Sequence, residues 1–158
     1  EDKFRGLILC DTKSEADNNE TKIKRAAGIK QINEEGVEKF VSVFVPNCFK
    51  QESINKLGKE YEDIFNRSKA SDPAGVKGCL LAMAGRTDTT SYLSEIKIPV
   101  LVLCGEDDKL TPPEVMKDMA GKIKNSKYFT VPHSGHMSPV ENPGYVNEKM
   151  NAFLYEFL

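Results

Sequence analysis

The 158 residues, 39% hydrophobic and 29% charged with a net charge of −2, suffice for one domain with a core of its own. Near-balanced charge leaves no basic footprint for nucleic acid. No apolar run approaches the roughly 20 residues of a membrane span.

The chain opens EDKFR, with no basic-then-apolar leader and no initiator Met. It starts one step ahead of an apolar run, so a fragment of a longer protein is expected. Four cysteines (Cys10, Cys48, Cys79 and Cys104) stand too far apart for a zinc site of C-x-x-C type. Free thiols are the expectation, buried at Cys10 and Cys104, each of which closes an apolar run. With them goes a cytoplasmic location.

Phe4 to Cys10 (FRGLILC) predicts a strand buried on both faces, the kind found in parallel sheets covered by helices. Asp11 follows at its carboxyl end, where ligands bind in open α/β sheets. Ser14 with Asp17 suggests a helix cap, and the helix runs to Asn33 with Ile23, Ala26, Ala27, Lys30 and Ile32 along one face. After Gly36, Val37 to Phe44 predicts a short helix ending before Pro46. Residues 48–50 read as a loop. A charged helix follows from Glu52 to Arg67, carrying Ile54, Leu57, Tyr61, Ile64 and Phe65 at helical spacing; its charged side reads as a solvated face. Asp72-Pro73 opens another helix whose stripe is Val76, Cys79, Leu80 and Met83. A polar loop and a turn at Tyr92-Leu93 lead to the next strand.

That strand, Val100 to Cys104, is broken by Gly105 and followed by Glu106, Asp107 and Asp108. Thr111 as cap with Pro112 at the first position predicts a helix to Lys122. Tyr128 to Val131 is a third strand, Pro132 ends it, and His133-Ser134-Gly135-His136 makes a turn. A helix from Asn142 to Leu158 closes the chain. The pattern is an α/β domain with a large helical insertion between its first and second strands. An acid after one strand and a histidine after the next are two thirds of a catalytic triad. Asp107 and Asp108 compete for the first place, and Asp11 is a third candidate.

The order of strand, helical insertion, GEDDKLTP, strand, GHMSPVENP and last helix resembles the C-terminal half of an α/β-hydrolase. The run AMAGRTDTTSYLSEIKIPVLVLCGEDD (82–108) resembles small carboxylesterases and enol-lactonases in particular. The resemblance implies a core of about three parallel strands from residues 1–13 and 95–158, with 14–94 as a helical cap. It puts the triad acid on Asp108 and the base on His136, leaves His133 out of catalysis, and gives Glu141 the task of holding its loop. It calls for no cofactor and no metal. Met83, Phe44, Phe49 and Met137 read as core residues, with the lining of an acyl pocket as the alternative.

The family's nucleophile stands in G-x-S-x-G on a strand-to-helix turn upstream of all this. No such pattern occurs here. Ser134, in the histidine loop, is the only serine closely flanked by glycine, and it sits on no such turn. Three readings follow: an acid–base half of an ester or lactone hydrolase, inactive alone; a non-enzymatic module; or a hydrolase using Ser134 or Cys104 as an unconventional nucleophile. An unpaired Phe4–Cys10 edge further predicts a homodimer through that edge or through exchanged cap helices, or assembly with an N-terminal partner.

Overall fold

In the computed structural model, which describes residues 3–157, three short apolar runs form one parallel sheet. Its strands are β1 (Leu7–Cys10), β2 (Val100–Gly105) and β3 (Ser126–Val131), in the order β1-β2-β3. The register pairs Leu9 with Val102, and Val102 in turn with Tyr128. β2 is the central strand and all six of its residues are buried. Successive side chains point to opposite faces, which sorts the core into two halves. Val100, Val102 and Cys104 pack with Met116, Met119, Ala120 and Ile123, which belong to α6 (Pro113–Gly121) and the turn after it. Leu101, Leu103 and Val131 pack with Val146 and Phe153 of α8 (Pro143–Phe157). Each such valine or leucine contributes about 1.5–3 kcal/mol by leaving water, and β2 alone supplies four.

The remaining helices are α1 (Asn19–Glu35), α2 (Val37–Asn47), α3 (Gln51–Leu57), α4 (Lys59–Lys69), α5 (Pro73–Gly85) and the four-residue α7 (Ser138–Glu141). A 3-10 turn covers Thr90–Glu95. The chain divides into two compact units. One takes in the described residues up to Ser14, the segment Cys48–Ser53 and those from Thr90 onward. The other is Glu15–Asn47 with Ile54–Thr89. No described helix is long and apolar enough to cross a membrane.

Several local expectations are corrected. β1 starts at Leu7, and Ile8 is 36% exposed, so the strand is not buried on both faces. It stands at the sheet edge, and β2 takes the doubly covered place. The cap of α1 is Asn18, whose side-chain oxygen accepts from Thr21 N at 2.8 Å. Asp17 is instead buried, accepting from Arg25 Nε at 3.1 Å. The buried face of α1 holds Gly28 and Ile32, while Ile23 is 69% exposed. A Cβ at Gly28 would meet the Phe40 ring at 2.9 Å, so α1 and α2 approach closely there. The charged helix of 52–67 is broken by Gly58, which adopts a φ of 52° and separates α3 from α4. α2 continues through Pro46, whose missing N–H falls within the last turn. Cys104 is buried, as is Cys48, whereas Cys10 is only half-buried, against the expectation, and Cys79 is exposed.

Gly105 carries the tightest constraint in the fold: a Cβ there would lie 1.9 Å from the carbonyl oxygen of Gly135. Gly105→Ala is expected to lower stability by about 3 kcal/mol, because backbone cannot yield as a flexible side chain can. Gly78→Ala in α5, where an added Cβ meets nothing within 4 Å, is expected to raise it by about 0.5–1 kcal/mol. Urea denaturation midpoints read both changes, and equal midpoints for Gly105→Ala and the parent protein would refute the first.

Candidate active site

The acid turn leaves the end of β2 and is stitched at once to the histidine loop that leaves β3. Glu106 N donates to Val131 O (3.0 Å), and Asp107 N donates to Ser134 O (2.8 Å). Asp108 N closes the turn on Gly105 O at 3.2 Å. Asp108 is thereby carried under the loop, where it is 3% exposed.

Every lone-pair direction of the Asp108 carboxylate is used. Oδ1 accepts from Leu110 N (2.8 Å) and Thr111 N (3.0 Å). Oδ2 accepts from the Thr111 hydroxyl (2.7 Å) and lies 2.9 Å from His136 Nδ1. Burial pushes its pKa up, but the bonds from His136 and Thr111 outweigh it and hold the carboxyl below its usual range. His136 shows the reverse balance. Burial favours the neutral ring, yet the Asp108 hydrogen bond and the charges of Asp108, Asp11 and Glu141 raise its pKa above the ordinary value. With Nδ1 committed to Asp108, Nε2 is the nitrogen left to exchange a proton with another group.

The other candidates separate by their partners. Asp107 forms an ion pair with Lys50 at 2.5 Å and is 43% exposed at its side chain, so it does not compete for the imidazole. His133 is exposed, with a φ of 57°; its N donates to Glu106 Oε2 and its carbonyl accepts from the Ser53 hydroxyl. Asp11 reaches Gly105 and Ser138 with its carboxylate, not His136. Glu141, 4% exposed, accepts from Gly135 N (2.8 Å) and Met137 N (3.2 Å), the residues on either side of His136. Its other oxygen accepts from Lys50 N at 2.9 Å.

Neither unconventional nucleophile is suited to the task. Ser134 is fully buried and its hydroxyl donates to Val131 O. Burial and the charge of Asp108 push the Cys104 thiol up to about 12, and it donates to the Gly105 and Thr111 carbonyls. Oxygens of Asp11 and Asp108 lie within 4.8 Å of Cys104 Sγ and of each other, a spacing that could suit a metal ion. All four carboxylate oxygens there already accept N–H or O–H bonds, so the donor set is that of a hydrogen-bond network.

Three residues take parts that the sequence did not assign them. Thr111 does not cap α6, which begins at Pro113 with Pro112 before it; its hydroxyl serves Asp108. Lys50 brings both its ammonium and its backbone N–H to the site, and nothing in a loop tripeptide signals that. Asp11, the third candidate for the acid, braces two loops instead. The four residues read as core, or alternatively as an acyl pocket, divide between the units. Phe44 and Met83 line a cavity of about 410 Å³ in the helical unit, together with Phe40, Val76, Cys79 and Leu80. Phe49 and Met137 belong to the other unit.

Comparison with known proteins bears on the same architecture. A bifunctional esterase/perhydrolase, DCH, of Acinetobacter calcoaceticus is 37% identical over 70 residues, which is 44% of this chain and 25% of that protein. A solved thermophilic esterase from Thermogutta terrifontis superposes with a TM-score of 0.90 at 31% identity, over 97% of this chain and 56% of its own. The enol-lactonase from Burkholderia xenovorans LB400 shares the fold with a TM-score of 0.87 at 20% identity, over 98% and 57%. The chain thus spans little more than half of these solved relatives. The model of the alpha/beta hydrolase fold matches residues 2–143, a span that holds all three parallel strands, and the chain belongs to that family.

Proposed function

We propose that this chain carries the acid, Asp108, and the base, His136, of a Ser-His-Asp hydrolase of small esters or lactones, whose serine stands on residues outside the 158. The observation that carries the reading is the 2.9 Å contact between Asp108 Oδ2 and His136 Nδ1. It fixes the tautomer and presents Nε2 to accept a proton from a serine hydroxyl and return it to the leaving group. A pKa raised by the buried carboxylate stabilises the imidazolium formed as the hydroxyl attacks. Ester and lactone substrates are suggested by the esterase and enol-lactonase relatives, and the helices of 14–94 would form the cap over the acyl group.

The acid–base pair has nothing to activate except water, so the 158-residue chain is expected to show no His136-dependent turnover of p-nitrophenyl esters. Expression of the reading frame with its upstream residues is expected to restore it. There, His136→Ala should lower kcat/KM by about 10⁴-fold or more, and Asp108→Asn by about 10³–10⁴-fold. Turnover by the short chain that survives repurification and is lost in His136→Ala would overturn the assignment of a missing nucleophile.

The same pair makes stability depend on pH. His136 has a raised folded pKa, so its contribution is full below about pH 6.5 and is lost as pH rises through the folded value. Asp108 has a lowered one, so its contribution is present above about pH 3.9 and is lost as pH falls through the folded value. Between those limits both contribute. The stability gap between the parent chain and His136→Asn is therefore expected to be larger near about pH 5.5 than near about pH 9. Urea titrations at the two pH values check this; a gap that widens at the alkaline end would refute it.

A second reading, a module that pairs with another copy, is favoured by the sheet edge. β1 pairs only with β2 among the described strands, and Phe4 is 62% and Ile8 36% exposed beside it. A cavity of about 220 Å³ lies alongside, lined by Arg5, Gly6, Ile8, Phe153, Leu154 and Phe157. Such an edge pairs readily with a second strand. The isolated chain is expected to sediment as a dimer that Ile8→Lys disperses. A stable monomer at tens of micromolar would exclude the dimer.

A further inference from the structure

We propose that Asp11 is the positioning residue of the acid–base pair: its carboxylate ties Gly105 of the acid turn to Ser138 of the histidine loop and so sets the separation of Asp108 and His136. The inference rests on the reading of Asp108 and His136 as acid and base, and adds to it a further carboxylate with no hydrogen bond to either.

The geometry is specific. Asp11 Oδ1 accepts from Gly105 N at 2.8 Å; Oδ2 accepts from Ser138 N at 3.1 Å and from the Ser138 hydroxyl at 2.6 Å. Gly105 stands three residues before Asp108, and Ser138 two residues after His136. One rigid group thus grips both loops beside the Asp108–His136 contact, its oxygen within 4.8 Å of an Asp108 oxygen. Any drift of one loop against the other must break a charge-assisted bond, each of which contributes about 1.5–3 kcal/mol.

The backbone of Asp11 is bent to reach this position. Its N still donates to Leu103 O at 2.9 Å, the last rung of the β1–β2 ladder. Its φ is 44°, in the left-handed region that non-glycine residues seldom occupy. Such a conformation persists where its surroundings over-determine it, and three donors on a carboxylate of a residue only 8% exposed do so here. The charged neighbours bear on the same pair. Asp108, Asp11 and Glu141 all place negative charge around His136, while the ammonium of Lys50 is engaged with Asp107. Burial and the nearby Asp108 raise the Asp11 pKa, and the Ser138 and Gly105 bonds oppose that rise.

Imidazole NMR of the 158-residue chain tests the proposal without relying on turnover. Asp11→Asn keeps an acceptor for Gly105 N but turns an amide N–H₂ towards Ser138 N, while Asp11→Glu keeps the charge and displaces it. Both are expected to retain the amide fingerprint of the fold and to lose the slowly exchanging Nδ1–H signal of His136; Asp11→Asn alone should also lower the His136 pKa markedly. If Asp11→Asn does not fold, Ser138→Ala, which keeps the charge and one N–H, is expected to weaken the same signal. A folded Asp11→Asn or Ser138→Ala with the parent Nδ1–H signal and titration curve would overturn the proposal. His136→Ala leaving ester turnover intact in the longer protein would instead sink the acid–base reading, so the two failures are distinguishable.

Discussion

The end of β2 and the histidine loop approach so closely that only glycine fits between them: the Gly135 carbonyl oxygen occupies the place where a side chain at residue 105 would begin. Gly135 is under the same constraint from the other side, since a Cβ there would meet Lys50 N at 2.8 Å and the Phe49 carbonyl carbon at 3.0 Å. Three stretches of backbone, 48–50, 105–108 and 133–138, are therefore stacked with no side chains to space them. That stacking brings N–H groups within reach of buried carboxylates, and the remaining features of the site depend on it.

Five carboxylates share this small region without competing, because each has its own donors. Asp108 holds the imidazole, Asp11 joins the two loops, Glu141 grips the N–H groups flanking His136, Glu106 accepts from His133 N, and Asp107 pairs with Lys50. A buried carboxylate costs several kcal/mol in desolvation unless hydrogen bonds replace its water. Asp11, Asp108 and Glu141 receive three, four and three such bonds. Most of those donors are backbone N–H groups, which cannot rotate away as a flexible ammonium can. The arrangement is rigid because its cations are few and its donors are fixed.

What was legible in the sequence followed from period and punctuation. β2 was plain because Val100 to Cys104 is apolar without alternation and Gly105 stops it, and the register of GEDDKLTP and GHMSPVENP pointed to Asp108 and His136, the two side chains that meet at 2.9 Å. Burial of β1 was not legible, since an apolar run looks alike at the edge and at the centre of a sheet, and strand order is a property of the whole fold. Asn18 displaced Ser14 and Asp17 as the cap of α1 because Asp17 is engaged by Arg25 eight residues on, a pairing invisible to short-range rules. Thr111 followed by Pro satisfies the pattern of a helix start, yet the hydroxyl is worth more to a buried carboxylate than to an N-terminal N–H. Asp11 and Ser138, 127 residues apart, offered no local signal at all.

The segment Cys48–Ser53 shows how far the site is assembled from distant chain. It interrupts a long helical stretch, yet its compact unit is that of the sheet. It supplies Lys50 N to Glu141, the Lys50 ammonium to Asp107, and the Ser53 hydroxyl to the His133 carbonyl. Two of those contacts hold the histidine loop and the short helix after it, and the third holds the acid turn, all without Asp11. His136 is consequently clamped between two braces that share no residue, one from the end of β1 and one from the turn between α2 and α3. A loop fixed on one side could still tilt its imidazole away from Asp108. Fixed on both, the loop keeps Nδ1 of the ring within 2.9 Å of the Asp108 carboxylate.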